Sequence, residues 1–142
     1  MADTVLIISI DKLRAGITKK VVKRSGFEAL WFPKLFGAID AIKKHAPDVV
    51  IFDTSGCFSE EINQIRNLCG RLEHMPVIVL GERSLIDKFE GHGIREELLL
   101  SDPLDPELIV AKIKEALSLK LKEKGSEGDS LEEDLKDLLK LE

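Results

Sequence analysis

Three aspartates, Asp11, Asp53 and Asp102, each stand at or just beyond the end of an apolar run. The run Val49–Phe52 precedes Asp53, and Leu98–Leu100 ends shortly before Asp102. Because the carboxyl ends of parallel strands meet at one edge of a sheet, these carboxylates are expected to lie close together. One interpretation is a rearranged cation site, since hard divalent ions prefer oxygen ligands. The other is that Asp53 is a strand-end carboxylate that only accepts hydrogen bonds from nearby backbone N–H groups.

Five short apolar runs predict the strands that would position these side chains. The third run, Val49–Phe52, contains four consecutive large apolar residues, which is typical of a parallel strand buried on both faces. Pro47, just before it, ends the preceding helix. The predicted strands are Thr4–Ile10, Glu28–Phe32, Val49–Phe52, Pro76–Leu80 and Leu98–Leu100.

Five helices are predicted between and after these strands, from apolar residues repeated every three or four positions. In the first helix, Leu13, Ile17 and Val21 form the stripe expected to pack on the sheet. Strands that alternate with helices indicate an α/β fold with a doubly wound parallel sheet, covered by helices on both faces. The remaining helices are predicted to begin at Pro33, at the N-cap Ser59, at Ser84 and at the N-cap Asp105.

The composition limits the class of protein. The chain has 142 residues, of which 44% are hydrophobic and 33% charged, and its net charge is −5. The negative charge argues against nonspecific nucleic-acid binding, and the apolar runs are too short to span a bilayer. Cys57 and Cys69 show no metal-ligand spacing, and no secretory signal is visible, so a cytoplasmic location is expected. A basic cluster of Lys19, Lys20, Lys23 and Arg24 is interpreted as the solvated face of a helix.

The last part of the chain differs from the rest. Residues 1–122 are predicted to form the domain, 123–128 a flexible linker and 129–142 an amphipathic helical tail. Ser130 and Glu133 have the spacing of a capping box. A helix this short is marginal alone, so Leu131, Leu135 and Leu138 are expected to dock on the domain itself, a second copy or a protein partner.

The strand–helix repeat from Thr4 to Lys122, with Asp53 ending the third strand and Asp102-Pro103 after the fifth, resembles the receiver domains of two-component response regulators. The resemblance implies the flavodoxin-like strand order 2-1-3-4-5. It also implies that Asp53 is the position that accepts a phosphoryl group from a histidine kinase. The family's bond before the equivalent proline is usually cis, so a cis bond is expected before Pro103.

The other parts of the phosphorylation site differ from the family pattern. The family has an acidic pair for magnesium after the first strand, a hydroxyl after the fourth, an aromatic switch residue in the fifth and a lysine after it. Phosphoryl transfer depends on positioning and on neutralised charge, so these losses predict a degenerate pocket. Carboxylates clustered there would also raise at least one carboxyl pKa. In this chain Ser9 and Ile10 stand at the acidic pair, with Asp11 beyond them, and Gly81 stands at the hydroxyl position. Leu99 stands at the aromatic switch position, and Asp102, followed by Pro103, stands at the lysine position.

The sequence therefore predicts a receiver-like signalling module that acts by protein–protein contact, is not an enzyme and has no cofactor or catalytic residue. The alternatives are a working phosphoacceptor modified at Asp53, a magnesium ion bound at Asp11 and Asp53, and a homodimer. A flavin- or cobalamin-binding enzyme is a further alternative. The turn after the first strand has no glycine for a phosphate, and Leu13 stands where the cobalamin motif needs histidine.

Overall fold

The computed structural model describes residues 2–72, 75–89 and 98–119, which form a parallel sheet with helices on both faces. The strand order is β2-β1-β3-β4-β5, which confirms the predicted topology. The strands are β1 (Thr4–Ser9), β2 (Glu28–Phe32), β3 (Val49–Asp53), β4 (Val77–Gly81) and β5 (Leu99–Ser101). The helices are α1 (Lys12–Arg24), α2 (Ala38–His45), α3 (Ser59–Arg71), α4 (Arg83–Ile86) and α5 (106–119), and a 3₁₀ turn over Asp87–Phe89 follows α4.

The core has two layers because alternate residues of each strand point to opposite faces of the sheet. On one face, Val50 and Phe52 of β3 pack with Ile65 of α3. On the other, Ile51 packs with Val22 of α1 and Ile113 of α5. All five residues of β3 are therefore buried, as predicted for the central strand.

Helix α1 packs on the sheet through a different stripe from the predicted one. Leu13 is 76% exposed and Ile17 45% exposed, whereas Ala15, Thr18 and Val22 are buried. The helix carries two stripes at helical spacing. The stripe that packs on the sheet has small and β-branched side chains, which let the backbones of helix and sheet approach closely. The larger side chains of Leu13 and Ile17 face outward.

Smaller corrections concern where elements begin. Helix α2 starts at Ala38 rather than at Pro33, and Phe36 in the preceding segment is 87% exposed. Ser59 is the first residue of α3 and not its N-cap. The cap is Phe58, whose backbone N–H donates to Glu61 Oε1 at 2.6 Å.

Helix α5 and strand β5 set the last edge of the sheet. Strand β5 begins at Leu99, one residue later than predicted. The prediction for α5 is confirmed, because Asp105 Oδ1 accepts the backbone N–H of Glu107 at 3.0 Å and so caps the helix. None of the helices in the described ranges combines the length and the apolar composition that crossing a bilayer requires.

The predicted linker 123–128 and the tail with Leu131, Leu135 and Leu138 lie outside the described residues. Their boundaries, and the end of the domain at residue 122, stay predictions.

Candidate functional site

Asp53 occupies the last position of β3, at the carboxyl edge of the sheet. The strand register pairs it with Ser9 of β1 on one side and Leu80 of β4 on the other. Its side chain is 1% exposed. A carboxylate this deeply buried requires hydrogen bonds or an opposite charge, because burying an unpaired charge is costly.

Arg14 supplies that charge. Its Nε donates to Asp53 Oδ2 at 2.8 Å and its Nη2 to Asp53 Oδ1 at 3.0 Å, so the contact is bidentate. The same Nη2 lies 3.0 Å from Asp102 Oδ1. One guanidinium therefore bridges the aspartate that ends β3 and the aspartate that follows β5. Charge-assisted bonds of this planar, two-point kind are among the strongest polar contacts in proteins.

The ion pair also affects the protonation of Arg14. Burial by itself would lower the pKa of Arg14, but its hydrogen bonds and charge interactions, first with Asp53 and then with Asp102, outweigh this effect. The pKa of the guanidinium consequently lies above its ordinary value. The guanidinium between the two carboxylates therefore stays protonated.

Asp11 turns away from this pair and caps α1. Its Oδ1 accepts the backbone N–H of Arg14 at 3.1 Å, and its Oδ2 accepts the hydroxyl of Ser55 at 2.9 Å. Asp11 is not a carboxyl whose pKa is raised, because the Arg14 N–H and then the Ser55 hydroxyl hold its pKa below the ordinary value. By capping α1, Asp11 fixes the start of the helix that carries Arg14.

Ser9 and Ile10, which the resemblance aligns with an acidic pair, are both uncharged. Ser9 is 1% exposed, and its Oγ accepts the backbone N–H of Asp11 at 3.1 Å. Ile10 packs beside Gly56, where an added Cβ would lie 3.4 Å from Ile10 Cγ1. Trp31 Nε1 donates to the Ser9 carbonyl at 2.9 Å and so satisfies the end of β1.

Gly81 leaves room for the hydroxyl of Thr54, the residue that follows β3. Thr54 is fully buried, and its Oγ1 donates to the Leu80 carbonyl at 2.8 Å. A Cβ at Gly81 would collide with this oxygen. The glycine is therefore the residue that the buried Thr54 requires.

The junction after β5 contains the cis bond expected from the resemblance, between Asp102 and Pro103. Asp102 is fixed at the sheet edge, because its backbone N–H donates to the Gly81 carbonyl at 2.7 Å. Leu99, which the resemblance predicts as the switch position, is partly buried and packs against the cluster that contains Val79 and Phe89.

A pocket of about 220 Å³ lies beside the ion pair, lined among others by Thr54, Ser55, Cys57 and Asp102. The Cys57 thiol is a poor nucleophile, because burial, and then the charges of Glu61 and Asp53, raise its pKa to about 11. Burial raises the pKa of Cys69 to about 12.

The described part of the chain holds no group of three or more His, Cys, Asp or Glu side chains arranged to bind a metal ion. Asp11, Asp53 and Asp102 thus do not form the joint cation site considered from the sequence. The cation between Asp53 and Asp102 is Arg14. Magnesium binding by Asp11 and Asp53 stays a prediction.

Arg14 is the residue of the site that the sequence interpretation missed. No role was predicted for Arg14 from the sequence. The signal that could have found it is the second stripe of α1, because Arg14 precedes the buried Thr18 and Val22 at intervals of four. That spacing places Arg14 on the sheet-facing side of the helix, one turn nearer the carboxyl edge.

Comparison with known proteins gives structural matches only. No family model and no curated protein matches the sequence. Among solved structures, a response regulator receiver domain protein from Clostridium thermocellum is similar, with a TM-score of 0.70 and 20% identity over 83% of this chain and 96% of that one. A CheY-like receiver domain protein from Methanospirillum hungatei has a TM-score of 0.72 and 18% identity over 87% and 99%.

NtrX from Brucella abortus is also similar, with a TM-score of 0.73 and 18% identity over 96% of this chain but only 30% of NtrX. These matches share the strand order, the parallel sheet and the helices on both faces that the chain displays. The chain therefore has the CheY-like, flavodoxin-like fold of response regulator receiver domains.

Proposed function

We propose that this chain is a receiver-like signalling module that works by contact with protein partners, and that Arg14 has replaced the phosphorylation chemistry of its pocket. The observation that carries the proposal is the bidentate pair between Arg14 and Asp53, two residues 39 positions apart. In such a module Asp53 is a structural anion and not a nucleophile.

The contacts of Asp53 support this reading of the pocket. Both of its carboxylate oxygens accept hydrogen bonds from Arg14, and Oδ1 also accepts the backbone N–H of Ser55 at 3.1 Å. Attack on a phosphodonor would need one of these oxygens to leave the ion pair inside a buried site. Asp102 is 30% exposed at the mouth and would repel the incoming phosphoryl oxygens.

The arrangement relocates a positive charge. The family resemblance implies a lysine after the fifth strand, and Asp102 occupies that place. Arg14 instead supplies a positive charge to Asp53 from the first turn of α1. The charge of Asp53 is thereby balanced by a side chain of the protein itself and needs no metal ion.

Two exposed aromatic side chains support a role in protein contact. Phe36 is 87% exposed and Phe58 is 80% exposed. Phe36 lies in the segment after β2 and Phe58 in the segment after β3, both beyond the carboxyl ends of these strands. Large apolar side chains that remain in water beside a site mark surfaces for protein binding. A partner protein, or a second copy of the chain, would cover them, and no enzymatic activity is needed.

The first test is incubation of the full chain with acetyl phosphate and Mg²⁺, followed by intact mass spectrometry. We expect no gain of mass from a phosphoryl group. Trp31 contacts Ser9 beside the pocket, so its fluorescence would report Mg²⁺ binding there, and we expect Mg²⁺ alone to leave that fluorescence unchanged. A working receiver domain serves as the positive control for the reagent, and Asp53→Asn as the control for the site.

A mass gain of one phosphoryl group in the natural chain that disappears in Asp53→Asn would overturn the proposal and favour a working phosphoacceptor. The second test uses a partner captured by the natural chain. We expect Phe36→Asp and Phe58→Asp to weaken its binding, and acetyl phosphate to leave the binding unchanged.

A further inference from the structure

Helix α1 presents a continuous outward face that no described residue covers. Leu13 is 76% exposed and Ile17 45% exposed, and they lie one turn apart. Between them, Gly16 leaves open space, because no atom lies within 4 Å of a Cβ built there. The result is a shallow groove of about 450 Å³ with an apolar floor, flanked by Lys12 and Lys20.

The charge of this face has one sign. Helix α1 contains no acidic residue, and its basic side chains other than Arg14 are all outside the pocket. Lys12, Lys20, Lys23 and Arg24 are exposed. An occupant that suits the groove therefore needs apolar side chains in a stripe and acidic side chains beside them.

The last fourteen residues of this chain have that pattern. Segment 129–142 contains six acidic residues and two lysines. Its Leu131, Leu135 and Leu138 are spaced as one stripe of a helix. The negative charge of this segment complements the positive charge of α1, and its leucines could pack on the exposed Leu13 and Ile17.

The chain is long enough to bring the segment to the groove. Helices α1 and α5 pack on the same face of the sheet, and both run from its carboxyl edge towards its amino edge. Residues 120–128 can span at most about 30 Å, whereas neighbouring helices lie about 8–10 Å apart. A fourteen-residue helix is about 21 Å long and the thirteen residues of α1 about 20 Å, so the two match in length.

We propose that segment 129–142 folds back as a helix and docks in the α1 groove of its own molecule, with its leucines on Leu13 and Ile17 and its acids facing the α1 lysines. The inference is independent of the proposed function, since it does not involve Asp53.

Hydrogen–deuterium exchange of the full chain, read by mass spectrometry, tests the proposal. We expect the amides of 129–142 to be protected in the natural chain and to exchange at least tenfold faster in Ile17→Asp. Phe58→Asp is the matched control, because it also adds an acid at an exposed apolar position, but next to α3. We expect it to leave the tail protection unchanged.

Protection of β3 amides in the same experiment reports whether each variant is folded. If Ile17→Asp unfolds, Leu13→Ser at the more exposed position replaces it with the same expected loss of tail protection. Equal tail protection in the natural chain and the α1 variants would overturn the proposal, as would an unprotected tail. A dimer in sedimentation whose tail protection falls on dilution would also overturn it, since the tail would then dock on a second copy.

Discussion

Arg14→Met is the substitution that most directly tests how the pocket is held together. Methionine keeps most of the apolar stem of arginine, so the change removes the charge and the hydrogen bonds with little loss of packing. It leaves Asp53 buried, with only the Ser55 N–H as a described partner. It also leaves Asp102 beside Asp53 with no cation between them.

The expected cost follows from the burial of the two carboxylates. Breaking a buried ion pair by removing one partner costs about 3–5 kcal/mol. The Ser55 N–H still stabilises Asp53, so we expect a loss near the lower limit, about 3 kcal/mol. Asp102 is 30% exposed, so Asp102→Asn should cost no more than about 1 kcal/mol.

Urea unfolding followed by Trp31 fluorescence and circular dichroism measures these changes. The double variant Arg14→Met/Asp53→Asn removes both charges, and we expect it to be about 2 kcal/mol more stable than the sum of the single losses implies. Arg14→Lys is the matched control that keeps a charge and loses the two-point contact. It should fall between the natural chain and Arg14→Met.

A loss of unfolding free energy below about 1 kcal/mol in Arg14→Met would show that Asp53 does not depend on Arg14. Additive losses in the double variant would also contradict a dependence of Asp53 on the charge of Arg14. They would mean that Arg14 acts through packing and not through its charge.

Two further substitutions test neighbouring parts of the site. The pKa of Asp11 lies below its ordinary value of 3.8 in the folded chain, so its contribution to stability is present above that value and is lost as the pH falls through the folded pKa. Asp11→Asn keeps a capping oxygen but does not titrate, so its free energy of unfolding should depend less on pH below about 4. Urea unfolding at a series of pH values measures this dependence, and the same dependence below about pH 4 in both chains would contradict the role of Asp11. Gly81→Ala should lower the free energy of unfolding by about 1–3 kcal/mol, because the new Cβ collides with Thr54 Oγ1. Thr54→Ala in the same chain removes that atom and should recover part of the loss, and a Gly81→Ala variant of natural stability would contradict the collision.

The strands are the part of the fold that local sequence predicts well. Val49–Phe52 is apolar at every position, and such a short run, rich in β-branched residues, is typical of a strand covered on both faces. The end of that run also located Asp53 at the carboxyl edge. Likewise, Asp105 followed by proline predicted the start of α5 from chemistry confined to three residues.

Helix phase is predicted less well. The spacing of Leu13, Ile17 and Val21 is a correct helical stripe, but Leu13 and Ile17 face outward and only Val21 packs partly against the core. Periodicity shows that a helix has an apolar side without showing which side meets the sheet. That choice depends on how closely the two backbones approach, which the small residues Ala15 and Thr18 permit.

The sequence by itself determined the sheet, its order through the family resemblance, and the presence of acidic groups at its carboxyl edge. Only the tertiary structure decided what neutralises them. Arg14 lies 39 residues from Asp53 and 88 from Asp102 along the chain. No local pattern links three residues so far apart, and they meet only because β1, β3 and β5 end at the same edge while α1 turns Arg14 towards it. Burial then makes the pairing strong, since charges removed from water require a partner.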